Sequence, residues 1–521
     1  MILQRLANRG IGLGTLFDRA ARRSPTNPLI LDHRLDTAPE LGHRLTMADV
    51  AEHIDDLAAR LCGGGVRPGG RVVVHKANNA DIPLLACAVA RIGATPVLLS
   101  PYLDGRTVAA LIRRVDRPCL ITDAATLTES LPDSVVSDTE RIVLTRGEHP
   151  AATSLEELTD SPRVAPVAMS PDHPTLITHT SGTTGTPKLA VHTSRTLQAR
   201  YRPQAAAAAL VRRPETVAMH VSFVHSRLFT AAAITLLRGC PLIMLADEDP
   251  GRAARLFAKY RPGVLEAHPN SFMRWEELAD DPAGPLAGVK YFSSTFDALH
   301  PRTMHRMLAA SRRRRPRFAQ LYGQSEVGPV VGRTYGRGGA RSCDGRCVGR
   351  PFPGMTGVRV ISRDGARPTA DSPGYIEVST DGRIVTYLGE PSRYERQLDG
   401  GWWRMGDLGY RTRRGCLHLM DREVDEIPGF GSTLAVEDEL FARMDELAEV
   451  IIVPAEDGRS VPVVCTKGDR PLDRGVWARA TESLPVMAEP VQWRLDDLPH
   501  TATTKIKRLE LARRLPTATQ R

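Results

Sequence analysis

The sequence predicts an α/β protein with a large N-terminal domain of helix-covered, mostly parallel sheets, a β subdomain and a small C-terminal α+β domain. In the first half, short apolar strand patterns at residues 71–75 and 94–99 flank an apolar helix at residues 82–92. Near Pro351 the pattern changes to short β segments separated by Gly and Pro turns. A chain of 521 residues is also too long for a single core, so at least two domains are expected.

Each part of this architecture has its own pattern. Strands that alternate with helices favour a parallel sheet covered by helices. The β-rich part includes segments 357–361 and 375–378, and we place this β subdomain at about residues 345–420. The remaining residues carry a helix at about 436–444 and a strand at 450–453, enough for a separate domain. The predicted domains are therefore residues 1–420 and 421–521.

Composition and charge argue against several classes of protein. No apolar run reaches the roughly 18 residues that span a bilayer, and the first residues lack a signal-peptide pattern. The eight cysteines form no disulfide framework, and Cys343 and Cys347 lack a second ligand pair for zinc. The arginine run at residues 312–315 has no interleaved aromatics, which favours a solvated helix end over a nucleic-acid site. We expect a soluble, cytoplasmic protein with no membrane span.

The segment HTSGTTGTPK at residues 179–188 follows an apolar strand and combines hydroxyl side chains, glycines and a lysine. Glycines let backbone N–H groups approach phosphate oxygens, hydroxyls add donors, and Lys188 adds positive charge. The spacing differs from the Walker pattern, because Lys188 follows a proline and no hydroxyl residue comes after it. The predicted polyphosphate cradle consists of Thr180, Ser181, Gly182, Thr183, Thr184, Gly185 and Lys188.

This segment resembles the phosphate loop of the adenylate-forming superfamily, which includes acyl-CoA synthetases, adenylation domains and luciferases. Four further segments resemble its motifs in the same order along nearly the whole chain: QLYGQSE at residues 320–326, GWWRMGDLG at 401–409, DREVDEI at 421–427 and LPHTATTKI at 498–506. The resemblance implies an AMP-binding enzyme that uses ATP and Mg²⁺. It also implies that the C-terminal domain is a mobile lid that rotates between two half-reactions.

The resemblance assigns roles around the nucleotide. Thr180, Ser181, Thr183, Thr184 and Lys188 would hold the β- and γ-phosphates. Glu326 would bind Mg²⁺, since a carboxylate is a hard oxygen ligand. Tyr322, with Gly323 and Ser325, would lie against adenine, Asp407 would accept the ribose hydroxyls, and Arg422 would contact the ribose or a phosphate. Lys505 would be the catalytic cation alongside Thr184 and Glu326, with Lys507 as the alternative two residues on.

The substrate pocket is expected near His225, Arg227 and Ser294. His225 and Arg227 occupy a segment that normally borders an acyl pocket in the superfamily, which suggests a small polar or anionic substrate. An unpaired buried guanidinium would be costly, so we expect Arg227 to pair with a second anionic or strongly polar group on the substrate. The hinge departs from the superfamily pattern, because Val424 stands where an acid is usual and Pro428 follows the isoleucine.

These features predict an AMP-forming ligase that activates a small carboxylic acid and transfers it to the thiol of CoA or of a carrier-protein pantetheine. One alternative keeps the ATP chemistry but uses an amine acceptor, or activates an oxyacid such as nitrite for diazotisation. Another is a non-catalytic binding homologue. The residues leave the acid, the acceptor and the oligomeric state open.

Overall fold

The computed structural model describes residues 11–180, 186–209, 211, 213–295, 299–341, 345–455, 457–501 and 505–515. The strands, numbered in chain order, are β1 Pro28–Leu31, β2 Arg44–Thr46, β3 Arg71–Val74, β4 Thr95–Leu98, β5 Cys119–Thr122, β6 Arg141–Leu144, β7 Thr153–Ser154, β8 Pro174–His179, β9 Leu189–Thr193, β10 Val217–His220, β11 Leu242–Met244, β12 Val264–Ala267, β13 Tyr291–Ser294, β14 Arg317–Gln324, β15 Gly328–Tyr335, β16 Cys347–Pro351, β17 Thr356–Ile361, β18 Gly374–Thr380, β19 Thr386–Tyr387, β20 Leu398–Asp399, β21 Trp402–Arg411, β22 Leu417–Arg422, β23 Leu447–Pro454, β24 Ser460–Thr466 and β25 Val491–Gln492. The α-helices are Leu16–Arg23, Met47–Gly63, Asp81–Ile92, Gly105–Val115, Ser134–Asp138, Ser194–Ala209, Ser226–Leu237, Pro250–Tyr260, Pro269–Arg274, Pro301–Ala310, Arg337–Arg341, Pro391–Glu395, Thr433–Arg443, Arg474–Thr481 and Arg508–Arg513.

The first sheet has the strand order β19-β9-β8-β4-β3-β5-β6-β7. Its strands from β8 to β7 run parallel, whereas β9 is antiparallel to β8 and β19 is antiparallel to β9. The predicted strands at residues 71–75 and 94–99 are β3 and β4, and the helix Asp81–Ile92 between them is buried along most of its length. The prediction of helix-covered parallel strands is confirmed here.

The second sheet has the order β17-β18-β21-β22-β16-β15-β14-β13-β12-β10-β11-β1-β2. Strands β14, β13, β12, β10, β11 and β1 are parallel, and the strands from β15 to β17 are antiparallel. The β-rich region predicted at residues 345–420 is therefore an antiparallel extension of this sheet. Within it β16 pairs with the preceding strand β15 and also with β22, which comes much later in the sequence, and local strand patterns reveal neither partner.

The C-terminal residues form a separate sheet in which β23 pairs with β24 antiparallel and β25 joins β24 in parallel. Leu440, Val450 and Trp477 belong to a hydrophobic core of this region. The predicted boundary between residues 420 and 421 falls inside β22, and the division into 1–420 and a mobile 421–521 stays a prediction. Among the described residues, every helix is too short or too polar to traverse a lipid bilayer.

The second sheet also positions the site. Alternate residues of β13 and β14 are buried, and Phe292 stacks on Phe318 with ring centroids 5.8 Å apart. The pairing aligns Ala267, Ser294 and Gln320 as neighbours across β12, β13 and β14. The carboxyl ends of these parallel strands therefore lie side by side, where ligands of open α/β sheets usually bind.

Candidate active site

A cavity of about 810 Å³ lies where the carboxyl ends of these strands meet β21, β22 and the C-terminal residues. Most of the predicted site residues line it: Thr180, Lys188, His225, Arg227, Tyr322, Gly323, Ser325, Glu326, Asp407, Arg422 and Lys505. Ser181, Gly182, Thr183, Thr184 and Gly185 lie outside the described residues. The motifs that are dispersed through the sequence thus meet at one cavity.

The phosphate-loop lysine is held by the turn between β14 and β15. The loop joins β8 to β9, and the Lys188 backbone N–H donates to Thr180 Oγ1 at 3.1 Å. Lys188 Nζ lies 3.4 Å from Glu326 Oε1 and donates to Tyr387 Oη at 3.1 Å. Tyr387 Oη in turn donates to Glu326 Oε1 at 2.6 Å. Burial, with the Glu326 charge beside it, raises the pKa of the Tyr387 phenol, which keeps the proton on its oxygen.

This cluster fits the end of a nucleotide that carries phosphates and a metal ion. The described residues include no group of three or more His, Cys, Asp or Glu side chains arranged around one ion position. An ion at Glu326 would therefore take its other ligands from phosphate oxygens and water, as Mg²⁺ commonly does. Lys188 is close enough to neutralise Glu326 and would meet an incoming phosphate at the same place.

A second cluster joins Tyr322 to β21 and β22. Tyr322 Oη donates to Asp407 Oδ2 at 2.5 Å, and Arg422 Nε lies 3.5 Å from Asp407 Oδ1. Asp407 and Arg422 are direct cross-strand partners, so the sheet itself sets their contact. Burial and the Asp407 charge raise the pKa of the Tyr322 phenol well above its usual range. The carboxylate predicted to face a ribose is thus oriented by its neighbours on both sides.

His225 lies at the start of the helix Ser226–Leu237. Its Nδ1 accepts from the Arg227 backbone N–H at 3.1 Å, so the neutral ring carries its proton on Nε2, which lies 3.3 Å from Ser325 Oγ. Burial, together with the nearby cations Arg200, Arg227 and Lys505, lowers the pKa of the His225 imidazole to about 3. His225 is therefore a neutral hydrogen-bond donor facing Ser325.

The argument from an unpaired Arg227 is corrected by the structure. Arg227 is 6% exposed and makes a two-pronged ion pair with Glu266, with Nε–Oε1 at 2.5 Å and Nη2–Oε2 at 2.7 Å. The protein therefore supplies the counter-charge that we expected from a substrate. Arg227 lines the cavity, but its pairing removes the reason to require a second anionic group.

Ser294 is the other correction to the predicted pocket. Its side chain is fully buried and does not line the cavity, whereas the next residue, Thr295, does. Thr295 directly follows the end of β13, so the cavity reaches the first residue beyond the strand and not the last residue within it. Gln320, the cross-strand partner of Ser294, also lines the cavity.

The structure separates the two candidate lysines. Lys505 lines the cavity and lies close enough to His225 and His268 to lower the pKa of both imidazoles. Its backbone is held by Thr501, whose N–H donates to the Lys505 carbonyl at 2.7 Å. Lys507 pairs with Glu510 at 3.2 Å and is absent from the cavity wall. Of the two candidates, Lys505 is thus the lysine that lies at the cavity.

Ion pairs at the rim hold the C-terminal residues in this arrangement. Arg302 Nη1 lies 3.2 Å from Asp445 Oδ1, and Arg274 Nη2 lies 3.5 Å from Asp496 Oδ1. Both acids are well exposed, with Asp445 at 98% and Asp496 at 74%. Val424, at the atypical hinge, also lines the cavity and is half exposed.

Two residues of the site had not been singled out from the sequence. Glu266 is an acid inside the otherwise apolar strand β12, a pattern that signals a buried charged partner. Tyr387 carries a weaker signal, since it is an aromatic that ends a short strand before the turn at Gly389. Its position follows from the pairing of β19 with β9, which begins directly after Lys188.

Comparison with known proteins gives a consistent result. Residues 17–388 match the AMP-binding enzyme family. The chain is 48% identical to the 3-amino-2-hydroxy-4-methoxybenzoate diazotase of Streptomyces cremeus over 536 residues, covering 98% of this chain and 97% of that protein. It is 24% identical to a 2-hydroxy-7-methoxy-5-methyl-1-naphthoate–CoA ligase of Streptomyces carzinostaticus over 495 residues, covering 88% and 83% of the two chains. Among solved structures it resembles a benzoate CoA ligase from Burkholderia xenovorans LB400, with a TM-score of 0.79, 19% identity and coverage of 96% and 100%.

Proposed function

Because the chain belongs to the AMP-binding enzyme family, we propose that it is an ATP-dependent, AMP-forming diazotase that activates nitrite and transfers its nitrogen to an aromatic amine. The nucleotide half of this proposal is supported by one observation above all. Lys188, Glu326, Asp407 and Lys505 come from four separate motifs and line a single cavity. The nitrite and the amine are supported by the 48% identity to a diazotase over nearly the whole chain.

The first half-reaction joins two anions, and the cations of the site are arranged to make this possible. A nitrite oxygen attacks the α-phosphorus of ATP, and the bond to pyrophosphate breaks with its electron pair on the leaving oxygen. Lys188 would leave Glu326 for the β- and γ-phosphates, while Lys505 would lie near the attacking oxygen and the α-phosphate. Mg²⁺ held at Glu326 would neutralise phosphate charge. Tyr322 and Asp407 would hold the nucleoside.

In the second half-reaction the amine nitrogen attacks the nitrogen of the nitrosyl adenylate. The N–O bond to AMP breaks, AMP leaves with the electron pair, and the amine loses a proton. The resulting nitrosamine rearranges to its diazohydroxide tautomer, takes up a proton and loses water, which gives the diazonium group. His225 has its proton on Nε2 and a pKa near 3, so it would donate a hydrogen bond to a leaving or attacking oxygen and would not act as the base.

A second candidate is the acid–thiol ligase that the sequence motifs favour. It is supported by the similarity to CoA ligases, in which an acyl group would replace the nitrosyl group and CoA or a carrier-protein pantetheine would replace the amine. Val424 and Pro428 weigh against it, because they alter the hinge on which a thiol-transfer conformation would depend. The convergence of charged motif residues at one cavity also disfavours a purely non-catalytic homologue.

The test is a reconstitution with ATP, Mg²⁺, isotopically labelled nitrite and 3-amino-2-hydroxy-4-methoxybenzoate. We expect AMP and pyrophosphate to form only when nitrite is present, and mass spectrometry to detect the labelled nitrogen in a diazo product. The matched reaction replaces nitrite and amine with an aromatic acid and CoA. AMP formation that requires the acid and CoA but not nitrite would favour the second candidate.

A further inference from the structure

Arg200 is a buried arginine whose guanidinium reaches the back of the site. It belongs to the helix after β9 and is 3% exposed. Its Nη2 donates to the carbonyl oxygens of Ser325 at 3.0 Å and Glu326 at 2.9 Å. Nη1 donates to Ser226 Oγ at 2.9 Å, and Nε donates to the Gly382 carbonyl at 2.6 Å. One side chain thus joins the β14–β15 turn, the helix that follows His225, and the loop before β19.

The protein provides a close-fitting passage for this side chain. A Cβ atom on Gly328 would lie 2.9 Å from Arg200 Cγ and Cδ, and one on Gly382 would lie 2.9 Å from Arg200 Cγ. Gly328 also has φ of 68°, a conformation that side chains other than glycine rarely adopt. The two glycines therefore let the Arg200 stem pass between them and reach the turn.

Glu326 is the acid whose charge acts on Arg200, but it does so without direct contact to the guanidinium. Within the part of the chain that the structure describes, no carboxylate forms a salt bridge with its guanidinium, and its acceptors are carbonyl and hydroxyl oxygens. The Glu326 carboxylate points instead to Tyr387 and Lys188. A fixed positive charge therefore lies directly behind the turn that carries Glu326. Guanidinium suits this role because its planar fork binds several oxygens at once.

We propose that Arg200 is a positioning residue that fixes the Ser325–Glu326 backbone and so presents the Glu326 carboxylate to the metal-bound polyphosphate. This inference rests on the proposed function, since it assumes that ATP binds at Glu326 with Mg²⁺. The same clamp holds Ser325, whose hydroxyl contacts His225. Arg200 therefore also sets the spacing between the phosphate end of the cavity and the end where the second substrate would react.

The test compares ATP binding by calorimetry in Mg²⁺ and in EDTA, using the full chain without a second substrate. In the unmodified protein Mg²⁺ should tighten ATP binding. In Arg200→Gln this Mg²⁺-dependent gain should shrink by about tenfold, the scale of one lost charge-assisted contact. Arg200→Lys keeps the positive charge but loses the planar guanidinium, so it should recover part of the Mg²⁺-dependent gain in ATP binding. Ser226→Ala, which removes one of the four hydrogen bonds, should cause a smaller loss in the same direction.

Arg91 provides the matched control. It is also a buried arginine, but it pairs with Asp18 and Asp55 and does not line the cavity. Arg91→Gln should lower the thermal midpoint while leaving the Mg²⁺-dependent gain unchanged. If Arg200→Gln behaves in the same way, Arg200 is only structural and the inference is overturned. If Arg200→Gln does not fold, the Mg²⁺-dependent gain is measured in Arg200→Lys and Ser226→Ala instead, and an unchanged gain in both would overturn the inference. Absence of Mg²⁺-dependent ATP binding in the unmodified protein would instead overturn the proposed function, and this inference with it.

Discussion

The hydroxyl of Tyr387 donates a 2.6 Å hydrogen bond to Glu326, although the two residues lie 61 positions apart in the sequence. Lys188 donates to the same hydroxyl at 3.1 Å, so the tyrosine bridges the phosphate-loop lysine and the candidate metal ligand. The phenol keeps its proton because burial raises its pKa. It therefore acts as a fixed donor that holds the Glu326 carboxylate in one orientation.

Tyr387→Phe removes this donor while keeping the ring. We expect kcat/KM for ATP in pyrophosphate exchange to fall by about tenfold or more, since a hydrogen bond to a charged group contributes about 1.5–3 kcal/mol. Tyr394→Phe is the control, because Tyr394 packs near Tyr387 but donates to the Ile384 carbonyl and does not line the cavity. Equal losses in the two variants would contradict a specific role for the Tyr387 hydroxyl.

The two C-terminal lysines should differ in their effect on adenylate formation. Lys505→Ala should slow pyrophosphate exchange by about a hundredfold, the scale of losing a preorganised electrostatic contact. Lys507→Ala should have little effect, because Lys507 pairs with Glu510 away from the cavity. Exchange rates of the purified variants at saturating ATP test this directly. The opposite ranking would move the catalytic role to Lys507.

The buried pair Arg227–Glu266 should contribute more to stability than to substrate charge recognition. Arg227→Met or Glu266→Leu alone leaves one buried charge unpaired, which costs about 3–5 kcal/mol, whereas the double variant removes both charges. Thermal unfolding should therefore give a higher midpoint for the double variant than for either single variant. If Arg227→Met instead keeps the thermal midpoint of the unmodified protein and only raises KM for the second substrate, Arg227 binds that substrate and the stability role is contradicted.

Acid should destabilise the protein through its buried histidines. Burial lowers the pKa of His225 to about 3 and that of His75 to about 4, whereas in the unfolded chain both would titrate near 6.5. Above about pH 6.5 neither state binds the protons, so this contribution to stability is fully present. As the pH falls from about 6.5 towards 4, only the unfolded chain is protonated, and each histidine destabilises folding by up to about 1.4 kcal/mol per pH unit.

Thermal midpoints measured at about pH 7.5, 6.5 and 5.5 check this expectation. The midpoint should change little between the first two values and fall clearly at the third. His75→Gln should reduce that fall, since it removes one of the protonation sites. A midpoint that stays constant down to pH 5.5 would show that the histidines do not govern acid stability.

Local patterns in the sequence predicted single elements well and long-range pairing poorly. Hydrophobic periodicity located β3, β4 and the helix Asp81–Ile92, because each pattern depends only on neighbouring residues. It did not reveal that β16, beside β15, pairs on its other side with the distant strand β22 and so joins the β-rich region to the second sheet. That pairing depends on contacts between distant residues, which a periodic pattern does not encode.

The same distinction between local patterns and long-range contacts applies to the candidate site. The order of the motifs was enough to identify Lys188, Glu326, Asp407 and Lys505 as candidate site residues, and all four line one cavity in the structure. Their supporting partners depend on strand register and burial, which the motifs do not contain. The Arg227 argument failed for this reason, because its counter-ion Glu266 lies on a strand that the motifs do not mention.

The rim contacts between Arg302 and Asp445, and between Arg274 and Asp496, also bear on turnover. Exposed ion pairs typically contribute less than about 1 kcal/mol each and are screened over roughly 8–10 Å at ordinary salt. These two links between the C-terminal residues and the rim are thus weak and salt-sensitive, and under the proposed function Lys505 would add a contact that depends on the bound reactants. Under that proposal the contact would be lost once the adenylate has been consumed, and these two ion pairs would then offer little resistance to opening of the cavity and release of AMP.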